Sequence, residues 1–184
     1  MELSKEHYNK GYKGAKKYEC HFTESPYFEI WQHVVSIINP DSKVLDLGCG
    51  TGQFANMLID NDINLSYGVD FSTTAINMAN KVVEGNFYQG DLYDKAIYDK
   101  HEYDTVVCLE VLEHINRDLE VLSNISKGTN IIITVPSYDS IGHVRHFNNI
   151  NSVISRYKDS FNIIGSKTFE VSDKNKIFLL YGNN

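Results

Sequence analysis

The residue pattern best suited to chemistry is a glycine cluster directly behind a short apolar run, in VLDLGCGTG at residues 44–52. Glycines leave no side chain between the backbone and a ligand, and a helix that starts behind them directs free N–H groups at that ligand. The dinucleotide fingerprint GxGxxG requires Gly or Ala at position 53, where this chain has Gln53. The cluster therefore indicates a ligand bound by backbone groups and disfavours a pyrophosphate cofactor.

Two acids follow later apolar runs, and their spacing suggests what the ligand contains. Asp70, in YGVDFS, can accept hydrogen bonds from both hydroxyls of an unphosphorylated ribose. Asp91, in QGDLYD, can accept from the exocyclic amine of adenine, while Leu92 and Phe71 pack on the base. The three segments together predict a ligand that resembles an adenosine without phosphates.

A first candidate for acid–base or metal chemistry is LEVLEHI, residues 109–115. In a helix its Glu110, Glu113 and His114 would share one face, where a further histidine such as His143 or His146 could complete a divalent metal site. Local hydrogen bonding at the mouth of the site is the commoner role for such residues. We therefore expect no metal here.

The second candidate is GHVRHF, residues 142–147, in a polar loop that follows a predicted strand. Its histidines can act as a general base near the operating pH, although a purely solvated surface loop is nearly as common an explanation. We expect His143 or His146 to be the base before any other residue, with His114 of LEVLEHI as the third candidate.

The elements that must position these residues alternate between strand and helix, which predicts an α/β fold with a parallel sheet and helices on both faces. Helices are predicted at SPYFEIWQHVVSIIN, capped by Ser25, at residues 52–59, at STTAINMANKVV, capped by Ser72, and near residues 117–126 and 149–157. Strands are predicted at KVLDLG, LSYGVD, NFYQGD, YDTVVCLE, TNIIITVP, FNIIGSKTFEV and KIFLLYG. The turn signal SDKN between the last two makes them a hairpin, so the last strand should run antiparallel to the others.

Length and composition limit the kind of protein. The 184 residues, 42% hydrophobic and 22% charged, suit one domain (1–184), divided into an N-terminal cap and helix (1–40) and a catalytic core (41–184). No apolar stretch approaches the ~20 residues that cross a bilayer, and the N-terminus has no apolar signal segment. We expect a cytoplasmic protein with free cysteines and no membrane partner.

The charge of −7 is unevenly distributed, because the first 20 residues carry five Lys against three Glu. An acidic chain repels phosphate backbones, so we expect no nucleic-acid partner. The basic N-terminal segment also carries aromatics, among them Tyr8 and Tyr12. We expect residues 1–25 to close over the cofactor and the acceptor.

In order and spacing, VLDLGCGTG, GVDFS, the GD of QGDLYD and YDTVVCLEVLEH are similar to the class I S-adenosylmethionine-dependent methyltransferases. The resemblance covers roughly residues 40–136 at motif level and the whole chain at topology level. It implies a Rossmann-like three-layer sandwich with strand order 3-2-1-4-5-7-6 and an antiparallel last strand. It also implies S-adenosylmethionine as cofactor, S-adenosylhomocysteine as product, and a binding site formed by Asp46, Gly48, Cys49, Gly50, Gly52, Asp70, Phe71, Asp91, Leu92 and Glu110.

By the same resemblance the expected reaction is methyl transfer to oxygen or nitrogen of a small molecule, by a monomer or homodimer similar to the ubiquinone-pathway O-methyltransferases. One alternative is a metal-assisted RNA 3'-end 2'-O-methyltransferase, because LEVLEHI also resembles the metal-binding ExxEH segment of those enzymes. A second is a non-catalytic S-adenosylmethionine-binding subunit, and a more distant one is a nicotinamide-dependent oxidoreductase.

Overall fold

The structure, a computed structural model, describes residues 1–184 and contains seven helices and seven strands besides three short 3₁₀ turns. The helices are α1 (Lys5–Tyr12), α2 (Lys16–Glu19), α3 (Phe28–Ile37), α4 (Gln53–Asp60), α5 (Thr73–Val82), α6 (Asp118–Ser123) and α7 (Ile150–Tyr157). The strands are β1 (Lys43–Leu47), β2 (Asn64–Asp70), β3 (Phe87–Gln89), β4 (Thr105–Leu109), β5 (Asn130–Pro136), β6 (Asn162–Glu170) and β7 (Lys176–Asn183). None of the helices combines the length and the apolar character needed to cross a bilayer.

The strands form one seven-stranded sheet in the order β3-β2-β1-β4-β5-β7-β6, which confirms the predicted α/β Rossmann-like fold. β2 pairs in parallel with β1 and with β3. β7 runs antiparallel to both of its neighbours, β5 and β6, as the SDKN turn predicted. β1 and β5 are buried along nearly their whole length, as expected for strands covered on both faces.

The chain divides into two compact units. The N-terminal unit, residues 4–105, holds β1 to β3 and α1 to α5, and its buried core centres on side chains such as Leu45, Leu58 and Tyr67. The C-terminal unit, residues 1–3 and 106–184, holds most of β4, the strands β5 to β7 and the helices α6 and α7. Its largest fully buried side chains include Tyr157 and Phe178.

Helix caps explain where several elements begin. Ser72 Oγ accepts from the amide of Ala75 at the start of α5, as predicted, and Asn149 forms a capping box at the start of α7. The predicted start of α3 is wrong, because Ser25 accepts from the Tyr27 amide in a turn and the helix begins at Phe28.

The two helices of the N-terminal segment, α1 and α2, were not predicted. Neither contains a buried residue, so the segment lacks the apolar periodicity on which such a prediction depends. α1 instead begins at a local cap, where Ser4 Oγ accepts from the His7 amide.

Candidate functional site

The glycine cluster forms a tight turn between β1 and α4. Gly48, Gly50 and Gly52 have φ angles of 76°, 53° and 81°, a left-handed conformation that other residues adopt only with strain. The amide of Gly48 donates to the carbonyl of Val69 at 2.7 Å, so the turn is joined to β2. A Cβ on Gly52 would lie 3.0 Å from Ala79, so this glycine also allows α4 to pack closely on α5.

Asp70, at the carboxyl end of β2, binds the turn through its carboxylate. Oδ2 accepts from the Gly50 amide at 3.0 Å, and Oδ1 accepts from the Ser72 amide at 2.8 Å. Its side chain is buried, and burial raises its pKa to about 6, although the two hydrogen bonds act in the opposite direction. Each oxygen keeps a second lone pair, so Asp70 can accept two further hydrogen bonds.

Asp46, near the end of β1, is 2% exposed, and its Oδ2 has no hydrogen-bond partner. Burial, together with the nearby charge of Asp70, raises its pKa to about 7. A buried carboxylate without a partner is costly, so this position favours a ligand that brings positive charge or a hydrogen-bond donor. We call residues 46–52 together with Asp70 the cradle.

The remaining cofactor-site residues predicted in this unit have different environments. Cys49 is a buried free thiol that packs against Gly68. Its burial raises the pKa of the thiol well above the usual range. Leu92 is buried and Phe71 half-buried, whereas Asp91 is exposed. Asp91 Oδ1 accepts from the Tyr93 amide at 2.9 Å, which fixes its carboxylate in a turn after β3.

The N-terminal segment lies against the cradle through α1. The Tyr12 hydroxyl lies 3.6 Å from where a Cβ on Gly50 would stand, and the ring of Tyr8 meets Phe71 with centroids 5.0 Å apart. Asn9 Oδ1 accepts from Ser72 Oγ at 2.7 Å and from the Thr74 amide at 3.1 Å, which caps α5 from outside. The segment is therefore held against the cradle by specific contacts.

A second attachment of this segment involves Gln53, the first residue of α4. Its Nε2 donates to the carbonyl oxygens of Lys17, at 3.1 Å, and Cys20, at 2.8 Å. From the sequence, Gln53 indicates only that a pyrophosphate is disfavoured, and nothing points to Asn9. An isolated polar residue gives no periodic or motif signal that could have identified either role.

In the C-terminal unit, the chain leaves β4 through Glu110, which has a φ of 56°. Its amide donates to Oγ1 of Thr134 at 2.9 Å, and its Oε1 is buried with no hydrogen-bond partner. Burial raises its pKa to about 8. The predicted single helical face is wrong, because only Leu112–His114 form a 3₁₀ turn and Glu110 lies outside it.

The structure nevertheless brings Glu113, His114 and His143 together, with one potential ligand atom of each lying within 4.8 Å of the others. Glu113 is 1% exposed and its Oε2 has no hydrogen-bond partner, while its Oε1 lies 3.7 Å from His114 Nε2. The two imidazole rings meet edge to face with centroids 4.7 Å apart. His146, by contrast, is exposed and outside this group.

Arg145 joins the two segments that carry this group. Its guanidinium donates to the carbonyl oxygens of Leu112, Ile115 and Asn116, the last at 3.0 Å. It also pairs with the fully buried Asp118 at 3.2 Å, and the Val144 amide donates to the Glu113 carbonyl at 2.7 Å. Arg145 therefore fixes the polar loop to the segment after β4, a role that the sequence alone did not indicate.

Comparisons with known proteins agree with this architecture. A family model described as a methyltransferase domain matches residues 21–167. Magnesium protoporphyrin IX methyltransferase from Synechocystis PCC 6803, solved with bound S-adenosylmethionine, superposes with a TM-score of 0.68 at 18% identity and 98% coverage of each chain. A chain from the complex of the Haloferax volcanii Trm112 methyltransferase activator with a methyltransferase has a TM-score of 0.76 at 14% identity, covering 96% of this chain and 98% of that one.

A third similar structure is the methyltransferase domain of the bacterial CtHen1-CN, with a TM-score of 0.62, 18% identity, and coverage of 85% of this chain and 99% of that chain. No curated protein matches the sequence. At these identities the structural likeness shows the fold alone, while the family model spans most of the chain.

The chain belongs to the methyltransferase-domain family, within the class I S-adenosylmethionine-dependent methyltransferases. This confirms the resemblance seen in the sequence. It also confirms S-adenosylmethionine as the cofactor, which the superfamily shares.

Proposed function

We propose that the chain binds S-adenosylmethionine in the cradle and transfers its methyl group to oxygen or nitrogen of a small molecule. The observation that carries the proposal is the pair of buried carboxylates, Asp46 and Asp70, beside the left-handed glycine turn. Asp46 Oδ2 has no partner, and Asp70 keeps lone pairs beyond its two amide contacts. This arrangement fits a cationic ligand that carries a free ribose.

Each residue of the proposed cofactor site has a defined role. Asp70 accepts from the ribose hydroxyls, and the amides of the glycine turn remain close to the ligand because no side chain intervenes. Phe71 and Leu92 pack on the adenine, and Asp91 accepts from its exocyclic amine. Asp46 faces positive charge on the ligand, which supplies the partner that its buried oxygen lacks.

Glu110, Cys49 and the glycines Gly48 and Gly52 complete the proposed cofactor site. Glu110 contributes a buried carboxylate with an unpartnered Oε1 to the methionine moiety, as the resemblance implies. Cys49 and Gly48 line the methionine and ribose part with backbone atoms. Gly52 ends the glycine turn, and its missing side chain also allows α4 to pack closely on α5.

Bound S-adenosylmethionine supplies an electrophilic methyl group on a sulfonium, and the remaining work of the protein is to align an acceptor and to exclude water. An amine acceptor needs only to arrive neutral, whereas a hydroxyl acceptor gains from a general base. Desolvation by burial lowers the pKa of His114, to about 4, and that of His143. Both rings are therefore neutral near pH 7, the form in which an imidazole can act as a base.

The test is transfer of a labelled methyl group from S-adenosylmethionine to fractionated metabolite extracts, with the product identified by mass spectrometry. We expect a labelled product of low molecular mass and a matching yield of S-adenosylhomocysteine. Label that appears only in RNA would contradict the small-molecule acceptor. Tight cofactor binding without transfer to any acceptor would instead indicate a non-catalytic subunit.

Oligomeric state is tested separately by light scattering of the purified chain, for which we propose a monomer or a homodimer. The similar Haloferax volcanii methyltransferase was solved with a separate activator protein. Activity of this chain alone supports an independent enzyme. Activity that appears only after a second protein is added would contradict that proposal.

A further inference from the structure

Asp118, the first residue of α6, is fully buried and has no role in the proposed cofactor site. We propose that Asp118 is a positioning residue for the acceptor side of the reaction and that it acts through Arg145. By holding Arg145 it fixes the polar loop, residues 137–147, and through that loop the orientation of two imidazoles, those of His114 and His143. Its effect on catalysis rests on the proposed methyl transfer, whereas the orientation of the rings can be measured without any substrate.

The carboxylate of Asp118 binds two guanidinium groups at once. Arg156, on α7, forms a bidentate pair with it, in which Nε lies 2.7 Å from Oδ2 and Nη2 lies 2.6 Å from Oδ1. Arg145, in the polar loop, places its Nη2 3.2 Å from the same Oδ1, and the hydroxyl of Tyr157 donates to Oδ2 at 2.9 Å. An ionised carboxylate offers about four lone-pair sites, so these contacts use its accepting capacity. Asp118 therefore joins the polar loop to α7 and keeps two positive charges together.

Removal of the charge on Asp118 would leave Arg145 without a counter-ion. Asp118 is the ion-pair partner of Arg145, and only 15% of the Arg145 side chain is exposed. The remaining contacts of its guanidinium are to main-chain carbonyls, which are uncharged and belong to Leu112, Ile115 and Asn116. A largely buried cation without a counter-ion is costly, so Arg145 should move toward solvent and displace the polar loop with it.

A displaced polar loop would affect both imidazoles, because the loop supplies the carbonyl oxygens that orient them. His114 Nδ1 lies 3.1 Å from the carbonyl oxygen of Gly142, and His143 Nδ1 lies 3.0 Å from that of Tyr138. A carbonyl oxygen can only accept, so each Nδ1 carries the hydrogen and each Nε2 carries the lone pair. A general base takes up a proton through that lone pair, so the two contacts determine where a proton can be accepted.

The experiment compares Asp118→Asn with Glu120→Gln, which makes the same chemical change on the same helix but in an exposed pair with Arg117. Two-bond ¹H–¹⁵N spectra of the full chain, freed of any affinity tag, show which ring nitrogen of each histidine carries the hydrogen. Variants that each lack one histidine assign the signals. We expect the Nδ1–H form for His114 and His143 in the wild type and in Glu120→Gln. In Asp118→Asn the His143 signal should change to the mixed form of an unrestrained histidine.

Two further measurements separate positioning from a loss of stability. At a temperature well below unfolding, Asp118→Asn should lower kcat/KM for the acceptor at least tenfold, while its affinity for S-adenosylhomocysteine stays as in the wild type. Tyr157→Phe removes a hydrogen bond to the same carboxylate but leaves the contact with Arg145. It should therefore lower stability without changing the ring signals.

Ring signals in Asp118→Asn that match those of the wild type would overturn the proposal. So would an unchanged kcat/KM in the folded variant, or a change of the rings in Tyr157→Phe as large as in Asp118→Asn, which would indicate general destabilisation. Circular dichroism checks folding, and if Asp118→Asn fails to fold, Arg145→Lys takes its place in the comparison with Tyr157→Phe. If the wild type methylates no acceptor, the proposed function fails, and the ring signals still decide whether Asp118 orients the histidines.

Discussion

The backbone amide of Gly50 donates a hydrogen bond of 3.0 Å to Oδ2 of Asp70 and thereby joins the turn after β1 to the carboxyl end of β2. Both residues were predicted to bind the cofactor, but their direct contact was not. The bond fixes the orientation of the Asp70 carboxylate before any ligand arrives, which lowers the ordering cost of binding. Removal of this acceptor should therefore affect affinity more than stability.

The pKa of Asp46, raised to about 7, makes cofactor affinity depend on pH. A cationic ligand favours the ionised carboxylate, so affinity for S-adenosylmethionine should rise about tenfold between about pH 6 and pH 8. Asp46→Asn should bind more weakly at pH 8 and show a flatter profile. Calorimetry across this range measures both effects, and an equally steep rise in the variant would contradict the role of Asp46.

The same pKa shift has the opposite effect on the ligand-free protein. Because the folded-state pKa lies above that of the unfolded chain, the folded state holds more protons between about pH 4 and pH 7, and its stability falls as the pH rises through that window. A shift of this size corresponds to at most about 4 kcal/mol. Urea unfolding should show that Asp46→Asn loses less stability than the wild type across this pH window. An identical loss in the two proteins would mean that the Asp46 carboxylate is not its source.

Much of the fold could be predicted from the sequence because alternation of apolar strands and amphipathic helices is a periodic signal. The same applies to the turn at Gly48 and Gly50 and to the acids at the carboxyl ends of β1 and β2, which belong to local sequence motifs. Contacts between distant, isolated polar residues could not be predicted. Two examples are the contact of Asn9 with the start of α5 and the contacts of Arg145 with the main-chain carbonyls after β4, since neither residue belongs to a repeating pattern.

Gly52 and Gly128 offer a matched pair for testing close packing, because both have a φ of +81° but only Gly52 has neighbours within 4 Å of its added Cβ. Gly128→Ala should cost about 1 kcal/mol, the strain of a left-handed alanine. Gly52→Ala should cost about 1–3 kcal/mol more, because the methyl group meets Ala79. Chemical unfolding measures both, and equal losses would show that packing of α4 on α5 does not require this glycine.

Deletion of residues 1–14 tests the N-terminal segment. It removes α1 with its contacts to Gly50, Phe71 and Ser72, but it leaves the carbonyls that Gln53 binds. We expect a folded protein whose affinity for S-adenosylhomocysteine and whose methyl transfer fall at least tenfold, because the cradle loses its cover. Deletion of residues 1–3, which keeps α1 and its Ser4 cap, is the control. Full activity after the longer deletion would exclude a covering role.

Arg145→Lys tests the attachment of the polar loop. Lysine cannot reproduce the guanidinium fork that reaches three carbonyls and the buried Asp118, so stability should fall by about 1–3 kcal/mol. Arg117→Lys, which alters an exposed pair with Glu120, should change it by less than about 0.5 kcal/mol. Thermal and urea unfolding of the two variants measure the difference. Similar losses in both would mean that Arg145 has no special positioning role.

Binding of the cofactor in the cradle is tested by a calorimetric titration of the purified chain with S-adenosylhomocysteine, repeated with NADH and with Asp70→Asn. We expect S-adenosylhomocysteine to bind the wild type at one site per chain and to bind Asp70→Asn at least tenfold more weakly. The control variant Asp60→Asn, which changes an exposed acid, should bind as the wild type does. NADH should give no heat. Binding of NADH without binding of S-adenosylhomocysteine would contradict the assignment of the cradle.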